Sequence, residues 1–242
     1  MSTHAPRAGL LADSIAAHVL QFGPVATPMP DAATARRLLW AFVGVAGVLF
    51  AGLRGVLDLL GLQGQPGAAT AFVVLLMVAF VGVQRGWVGA PAAAIGLRPW
   101  HQWSRRERLY ALQVVPLAAL AFAFAFQARL GTLLGQHGAV GFVIFSLLTG
   151  LLWGALQEGL YRGWLQTALE RPLGPWGALL AANLVFTFGP LHTPLLLAAG
   201  GPRWPVLAAV FAIGLFFGLL RRRSGNLWLP ALLHGLWPLN MA

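Results

Sequence analysis

The chain consists largely of long apolar runs, each of a length that suits a membrane-spanning helix. The hydrocarbon core of a bilayer is about 30 Å thick, and an α-helix needs roughly 20 residues to cross it. Because the backbone in lipid must satisfy its own hydrogen bonds, such runs form helices rather than open sheets. We therefore predict an all-α, polytopic membrane helical bundle of about seven to eight transmembrane helices. The candidate spans are 38–60, 68–84, 110–129, 139–160, 174–190, 204–220 and a short 227–240.

The arginines between these runs predict the orientation of the chain. Arginine-rich loops remain on the cytoplasmic side of a membrane, and three clusters lie before the first span, after the second and after the sixth. A cytoplasmic N-terminus places all three on one side. The C-terminus then faces out with seven spans and in with an even number. The clustered arginines are Arg36, Arg37, Arg98, Arg105, Arg106, Arg108 and Arg221 to Arg223, whereas the loops predicted on the opposite side hold only Arg129 and Arg203.

The composition supports a membrane protein and excludes several kinds of site. The chain is 58% hydrophobic and 9% charged, whereas soluble domains are about 25% charged. It has no cysteine, hence no disulfide, no thiolate zinc site and no cysteine nucleophile. The net charge of +10 comes from arginines between apolar runs, which favours an anionic membrane face over nucleic acid. Arginine in place of lysine, with abundant Ala, Gly and Leu, favours a bacterial inner (cell) membrane.

Polar side chains inside the fourth predicted span are the strongest functional signal. Acidic and basic groups in hydrocarbon are rare and usually mark a functional site. Asp58 lies four residues after Arg54, so an i,i+4 ion pair is its simplest explanation. Glu158 also has an arginine four residues later, Arg162, but Gln157 precedes it and further polar groups follow in later spans. These three side chains are therefore predicted to belong to a site.

The later polar groups are His192 in the sequence "FTFGPLHTP" and His234, followed by Asn240, in "LWLPALLHGLWPLN". A single histidine in an apolar helix is more often a hydrogen-bonded core residue than a catalyst, by roughly two to one. Two histidines, an acid, an amide and an arginine in consecutive spans favour a shared site, because each needs a partner in hydrocarbon. Counting helix rise from the predicted turns allows Gln157, His192 and His234 to meet at similar depth, in the inner half or the middle of the membrane.

These residues resemble the motifs of the CPBP family of intramembrane proteases, which includes the Rce1-type CAAX prenyl endopeptidases and bacterial glutamic-type members. The family motif Glu-Glu-x-x-x-Arg is occupied by Gln157-Glu158-Gly159-Leu160-Tyr161-Arg162. The motif Phe-x-x-x-His is matched by Phe188 to His192, and His234 begins the third motif, His-x-x-x-Asn or Asp. The resemblance covers about residues 95–240. It implies an Rce1-like fold. We predict a protease domain at 36–242, whose motif-bearing core is about 139–240, after an N-terminal cytosolic or interfacial segment at 1–35, which is mixed polar and contains proline.

Two positions depart from the family pattern. The first motif glutamate, which the resemblance makes the water-activating residue, is Gln157 here, and a neutral amide cannot accept a proton from water. We favour an inactivating Glu-to-Gln change in an otherwise working enzyme; a natural pseudoprotease and a takeover of the role by Glu158 are the alternatives. In the third motif, Pro238 stands where Asn or Asp is expected, and Asn240 follows two residues later.

The resemblance implies a mechanism without metal or cofactor. A glutamate at position 157 would activate the water together with His192, and His234, with Asn240, would stabilise the oxyanion. Glu158 and Arg162 would support these groups, as would Phe188. Zinc is the rival explanation, since two histidines and a carboxylate are a common zinc set, but the chain lacks an HExxH motif and Gln157 is a poor ligand; we put zinc at roughly one chance in five on ligand type.

The predicted function is an intramembrane endopeptidase that cuts near the terminus of a membrane-anchored protein or peptide. In bacteria such relatives include myxosortase-like processors of C-terminal sorting signals. The alternative is a catalytically dead member of the same family that acts as a membrane binding or scaffold protein. A small transporter is a third possibility, disfavoured because the polar groups cluster in one half of the chain rather than in paired repeats.

Overall fold

The computed structural model describes residues 29–62, 65–198 and 200–236, and within these ranges all regular elements are helices. Helix α1 (Ala32–Leu59) begins at Asp31, whose side chain accepts a hydrogen bond from the Thr34 backbone at 2.7 Å, as an N-cap does. Helix α2 (Pro66–Val88) starts with a proline, whose missing N–H needs no partner in a first turn.

Helix α3 (Arg105–Ala125) follows a loop that contains two short 3₁₀ turns, Ala92–Ile95 and Trp100–Gln102. Ser104 and Glu107 cap its first turn reciprocally, each side chain bonding the other residue's backbone N–H. The start of this helix is therefore fixed by local sequence.

The long helical run Gln127–Phe188 is broken twice, at Gly138 and at Gly174. Both glycines have positive φ, 64° and 67°, with an extended ψ that side chains with a Cβ rarely adopt. The run therefore consists of three helices, which we name α4 (127–137), α5 (139–173) and α6 (175–188). Gly174 lies midway in sequence between Arg162 and Phe186, which touch, so α5 and α6 form an antiparallel hairpin.

The remaining helices are a single turn, α7 (Thr193–Leu196), a long helix, α8 (Trp204–Ser224), and a short one, α9 (Trp228–Gly235). Helix α8 ends at Gly225, which has φ 63° and forms a left-handed C-cap. The chain then turns sharply, and α9 returns into the bundle.

Helix α5 occupies the centre of the bundle, and α9 packs against it through glycines. A Cβ at Gly154 would lie 2.4 Å from the Gly235 nitrogen, and one at Gly150 would lie 2.8 Å from the Gly235 oxygen. Only glycine permits this approach of two backbones. On the opposite side of α5, Trp164 stacks on Phe80 of α2 at 4.5 Å between ring centroids.

The fold confirms the prediction of an all-α, multi-pass membrane bundle. Five of the described helical runs are long and apolar enough to cross a membrane: Ala32–Leu59, Pro66–Val88, Arg105–Ala125, Gln127–Phe188 and Trp204–Ser224. The fourth run contains the predicted span 139–160 and most of 174–190, folded back at Gly174. Helix α5 continues beyond the predicted end at 160 as far as 173. The total of seven to eight spans stays a prediction.

Two predicted segments lie partly outside the described residues. The N-terminal segment 1–35 is described only from residue 29, where it includes the cap and first turn of α1. The last predicted span, 227–240, is described as far as 236 and contains the eight-residue helix α9. The division of the chain at residue 35 stays a prediction.

Candidate functional site

The predicted polar residues of α5 are all buried in the middle of the bundle. Gln157 is 3% exposed, Glu158 is fully buried and Arg162 is 1% exposed. They straddle the point where α5 changes to a π-helical stretch, Gly159–Gln166. The described chain has three further stretches of this kind, Val43–Leu49, Gln84–Val88 and Phe142–Leu148, so it is the buried polar side chains that single out this one.

Glu158 joins two other predicted site residues. Its Oε1 atom lies 2.8 Å from Nδ1 of His234 on α9 and 3.4 Å from Nη1 of Arg162. Since a carboxylate only accepts, His234 donates from Nδ1 to Glu158. These contacts compensate the buried charge of Glu158. They also join residues of the first and third sequence motifs.

Arg162 is held by a hydrogen bond and a ring contact that only a guanidinium group can form at the same time. Its Nη2 atom donates to the Gly214 carbonyl at 2.9 Å, and its Cζ atom lies 4.2 Å from the centroid of the Phe186 ring. A Cβ at Gly214 would lie 2.9 Å from Nη2 and 2.1 Å from Oδ1 of Asn183. Gly214 on α8 therefore leaves the room that the guanidinium occupies.

Phe186 lies between the two predicted site histidines. Its ring meets the His192 ring edge-on at 5.0 Å and the His234 ring at 5.8 Å. The Phe186 carbonyl also lies 2.8 Å from Nδ1 of His192. Because a carbonyl only accepts, His192 carries its proton on Nδ1 in this contact and leaves Nε2 with a lone pair.

Gln157 and His192 line one cavity of about 790 Å³. The Gln157 side chain makes no hydrogen bond to any residue in the described part of the chain, although it is buried. Buried polar groups normally have partners. An unbonded amide and an imidazole with a free lone pair on the wall of one cavity therefore form an arrangement that suits the binding of water and a polar substrate.

The remaining predicted residues do not join this cluster in the described structure. Phe188 is the last residue of α6 and is 41% exposed, so the aromatic contact expected of it is made by Phe186 instead. Asn240 and the motif position Pro238 lie outside the described residues. The expected ion pair between Arg54 and Asp58 is also missing: no N–O distance of 4 Å or less joins these two described residues, and Asp58 is exposed.

Sequence reasoning missed Phe186, Gly214 and Asn183. Phe186 stands two residues before Phe188 in "FTF", and the pattern gave no means of choosing between them. Gly214 lies in the "AIGLFFG" stretch, where glycines in an apolar helix signal close packing. Asn183 donates to the Phe211 carbonyl at 3.0 Å and was the one amide in its predicted span.

The described residues of the site do not include three grouped side chains of the kind that hold a catalytic zinc ion. Within the described ranges no three His, Asp or Glu side chains are grouped as metal ligands, whereas catalytic zinc sites use three protein ligands. The acid nearest the imidazoles, Glu158, already bonds His234 and Arg162. The donor set therefore does not fit zinc.

One comparison with known proteins gives a match. Residues 139–239, which include α5, α6, α8 and α9, match the model of a family described as type II CAAX prenyl endopeptidase Rce1-like. No curated protein and no solved structure matches the chain. The matched residues include Gln157, Glu158, Arg162, His192 and His234, with the Gly214 and Phe186 contacts of Arg162.

Proposed function

We propose that this chain, which belongs through residues 139–239 to the Rce1-like family of CAAX proteases, has a site built for peptide hydrolysis. The bond would lie near the terminus of a membrane-anchored protein. Membership of this family supports an intramembrane protease as the general kind of protein. The observation that carries the proposal is that Gln157 and His192 share one cavity, while His234 and Glu158 bond beside it.

The attacking water would bind between residue 157 and His192. A glutamate at 157 accepts one proton of the water, and Nε2 of His192 accepts a hydrogen bond from the other O–H. The water oxygen then attacks the scissile carbonyl carbon. The proton held at position 157 passes to the leaving nitrogen as the C–N bond breaks, giving a carboxylic acid and an amine.

His234 would stabilise the oxyanion. It already donates from Nδ1 to Glu158, so it can donate from Nε2 only when it carries both protons. The Glu158 carboxylate lies 2.8 Å from Nδ1 and orients the imidazole, and Arg162 contacts the carboxylate in turn. A preorganised donor of this kind contributes about 3 to 4 kcal/mol to transition-state stabilisation in other hydrolases.

Glu158 is a poor replacement for the missing base. It is fully buried, does not line the cavity, and its Oε1 atom is engaged with His234 and Arg162. A proton taken by Glu158 would weaken both contacts. We therefore infer that the chain as it stands, with Gln157, binds a substrate without cutting it.

The test compares this chain with Gln157→Glu in lipid nanodiscs, using a library of membrane-anchored peptides and mass spectrometry of the products. We expect cleavage by the Gln157→Glu protein only, and its loss when His192→Phe is added. Gln136→Glu is the matched control, because it adds the same charge at an exposed residue of the same cavity. Cleavage by the control, or sensitivity of cleavage to a chelator, would contradict the mechanism.

A non-catalytic binding protein is the second candidate, and Gln157 itself favours it. A chain that has lost its base retains the cavity and the charge network. If Gln157→Glu binds the same peptides but cuts none of them, the binding function is supported and the peptidase proposal fails.

A further inference from the structure

Arg221 on α8 is a buried charge that the proposed mechanism does not use. It is 1% exposed, and its Nη1 atom lies 3.4 Å from Oε1 of Glu170. Its Nη2 atom donates to the Thr167 hydroxyl at 2.6 Å. The hydroxyl contact is the shorter of the two, although buried arginines are compensated by acids rather than by neutral groups. It therefore calls for an explanation beyond the ion pair.

The Thr167 hydroxyl connects Arg221 to the main chain of Arg162. A guanidinium only donates, so the hydroxyl accepts from Arg221 and keeps its single proton for another partner. That partner is the Arg162 carbonyl, 3.3 Å away and five residues earlier in the chain. The carbonyl lies in the π-helical stretch Gly159–Gln166, where a turn closes over five residues rather than four. Arg221 thus orients the hydroxyl that anchors this wider turn.

Helix α8 holds Arg162 at two points. The Gly214 carbonyl accepts from its guanidinium at 2.9 Å, and Arg221 reaches its carbonyl through the hydroxyl just described. These two positions on α8 are seven residues apart, about two turns, so they share one face. Between them, a Cβ at Gly218 would lie 3.5 Å from Oε1 of Gln166. This face of α8 therefore lies against α5 over its whole length.

From Arg162 the contacts continue to His234. Nη1 of Arg162 lies 3.4 Å from Oε1 of Glu158, and the same oxygen accepts from Nδ1 of His234 at 2.8 Å. All members of this path are at most 8% exposed. Because protein interiors are close-packed, a displacement of one member moves the next. The path covers about 14 Å along α5 between positions 158 and 167.

We propose that Thr167 and Arg221 are positioning residues for the site. Through the Arg162 carbonyl they set the place of its guanidinium, which holds the Glu158 carboxylate against His234. Neither residue lines the cavity, so neither acts on a substrate directly. The effect on cleavage rests on the proposed function, whereas the effect on the bond between Glu158 and His234 does not depend on it.

A matched pair of variants at Thr167 isolates the hydroxyl. Thr167→Val keeps the branched shape of the side chain without the hydroxyl, and Thr167→Ser keeps the hydroxyl. The readout is the Nδ1–H resonance of His234 in the full-length protein, labelled with ¹⁵N-histidine in lipid nanodiscs and assigned with His234→Phe. Lengthening of the bond to Glu158 moves this proton upfield. We expect an upfield shift in Thr167→Val and the parent position in Thr167→Ser.

Arg221→Met tests the other end of the path. Methionine has an unbranched stem and no donor, so the change should move the His234 resonance in the same direction as Thr167→Val. Combining the two changes should add nothing further, because both break one chain of contacts. A shift in the double variant equal to the sum of two separate shifts would contradict the path.

Arg98→Met is the matched control for the loss of an arginine that pairs with an acid. Arg98 ion-pairs with Glu107 and donates to the Ser224 carbonyl at 2.9 Å, and none of its hydrogen bonds within the described ranges reaches α5. It should lower the melting temperature, as Arg221→Met does, and leave the histidine resonance in place. An unchanged resonance in the valine variant, or an equal shift in this control, would overturn the proposal.

Cleavage gives a second readout in the Gln157→Glu protein. Adding Thr167→Val should lower kcat about tenfold, because the donor to the oxyanion is displaced. KM should stay within about twofold, since Thr167 does not line the cavity. Thr167→Ser should retain the parent kcat. A raised KM at constant kcat would contradict the positioning role.

These readouts separate the two proposals. A shifted His234 resonance, with no cleavage by Gln157→Glu, contradicts the peptidase function and supports the positioning role. Cleavage by Gln157→Glu that Thr167→Val leaves unchanged supports the peptidase function and contradicts the positioning role.

Discussion

Gly154→Ala tests whether the close approach of α9 to α5 holds the site together. The added Cβ would lie 2.4 Å from the Gly235 nitrogen and 2.8 Å from the Ala231 oxygen, whereas ordinary contacts begin near 3.4 Å. Because both obstacles are backbone atoms, relief requires α9 to move by about 1 Å. His234 precedes Gly235, so the movement would lengthen its bond to Glu158 from 2.8 Å to beyond hydrogen-bonding range.

The expected loss of stability combines two effects. Losing a buried hydrogen bond to a charged group costs about 1.5–3 kcal/mol, and overpacking costs about 1–3 kcal/mol. The gain from replacing a helical glycine with alanine offsets about 0.5–1 kcal/mol. We expect Gly154→Ala to lower the free energy of unfolding by about 2–4 kcal/mol, measured by SDS titration in mixed micelles.

Gly135→Ala is the matched control, since a Cβ there meets nothing within 4 Å. It should change the free energy of unfolding by less than about 1 kcal/mol, in either direction. Adding Glu158→Gln to both proteins completes a double-mutant cycle. If Gly154→Ala already breaks the His234–Glu158 bond, the two changes together cost about 1.5–3 kcal/mol less than their sum. Additive energies would refute the reasoning.

Two further predictions concern Arg162 and Asp31. Arg162→Lys should lower the free energy of unfolding by about 1–3 kcal/mol and abolish cleavage by the Gln157→Glu protein. The reason is that lysine cannot bond the Gly214 carbonyl while remaining beside Glu158. A melting temperature within a degree of the parent protein would contradict this. Hydrogen bonds from Thr34 lower the pKa of Asp31 below 3.8, so its cap is present above the unfolded pKa and is lost as pH falls through the lower, folded value. Hydrogen exchange of the first turn of α1 should therefore rise in acid relative to Asp31→Asn, and equal pH profiles would refute it.

The apolar runs predicted the helices well, but not where each one ends. Residues 161–173 carry Arg162, Gln166 and Glu170, so hydropathy predicted an end at 160. The helix continues because these groups are satisfied by other helices: Arg162 by the Gly214 carbonyl, and Glu170 by Arg221 at 3.4 Å. A hydropathy window cannot contain such partners, which lie about fifty residues away in sequence.

The site was predictable at its charged residues and not at its aromatic one. Glu158 and Arg162 were identified because a charge in hydrocarbon needs an explanation. Phe186 and Phe188 differ by two helical positions, about 200° around the axis. Which of them faces the histidines depends on how α6 packs against α5, and no local pattern in the sequence fixes that rotation.

The setting of Gln157 favours an enzyme that has lost its base over a protein built only to bind. Glu158 is buried and contacts both Arg162 and His234, whereas the buried Gln157 side chain lines the cavity and forms no hydrogen bond to any described residue. Buried polar groups normally have partners. Gln157 has nearly the same shape as the glutamate that would activate a water at this position, but it cannot accept the proton. An unbonded amide of that shape on the cavity wall suits a site whose base has been replaced.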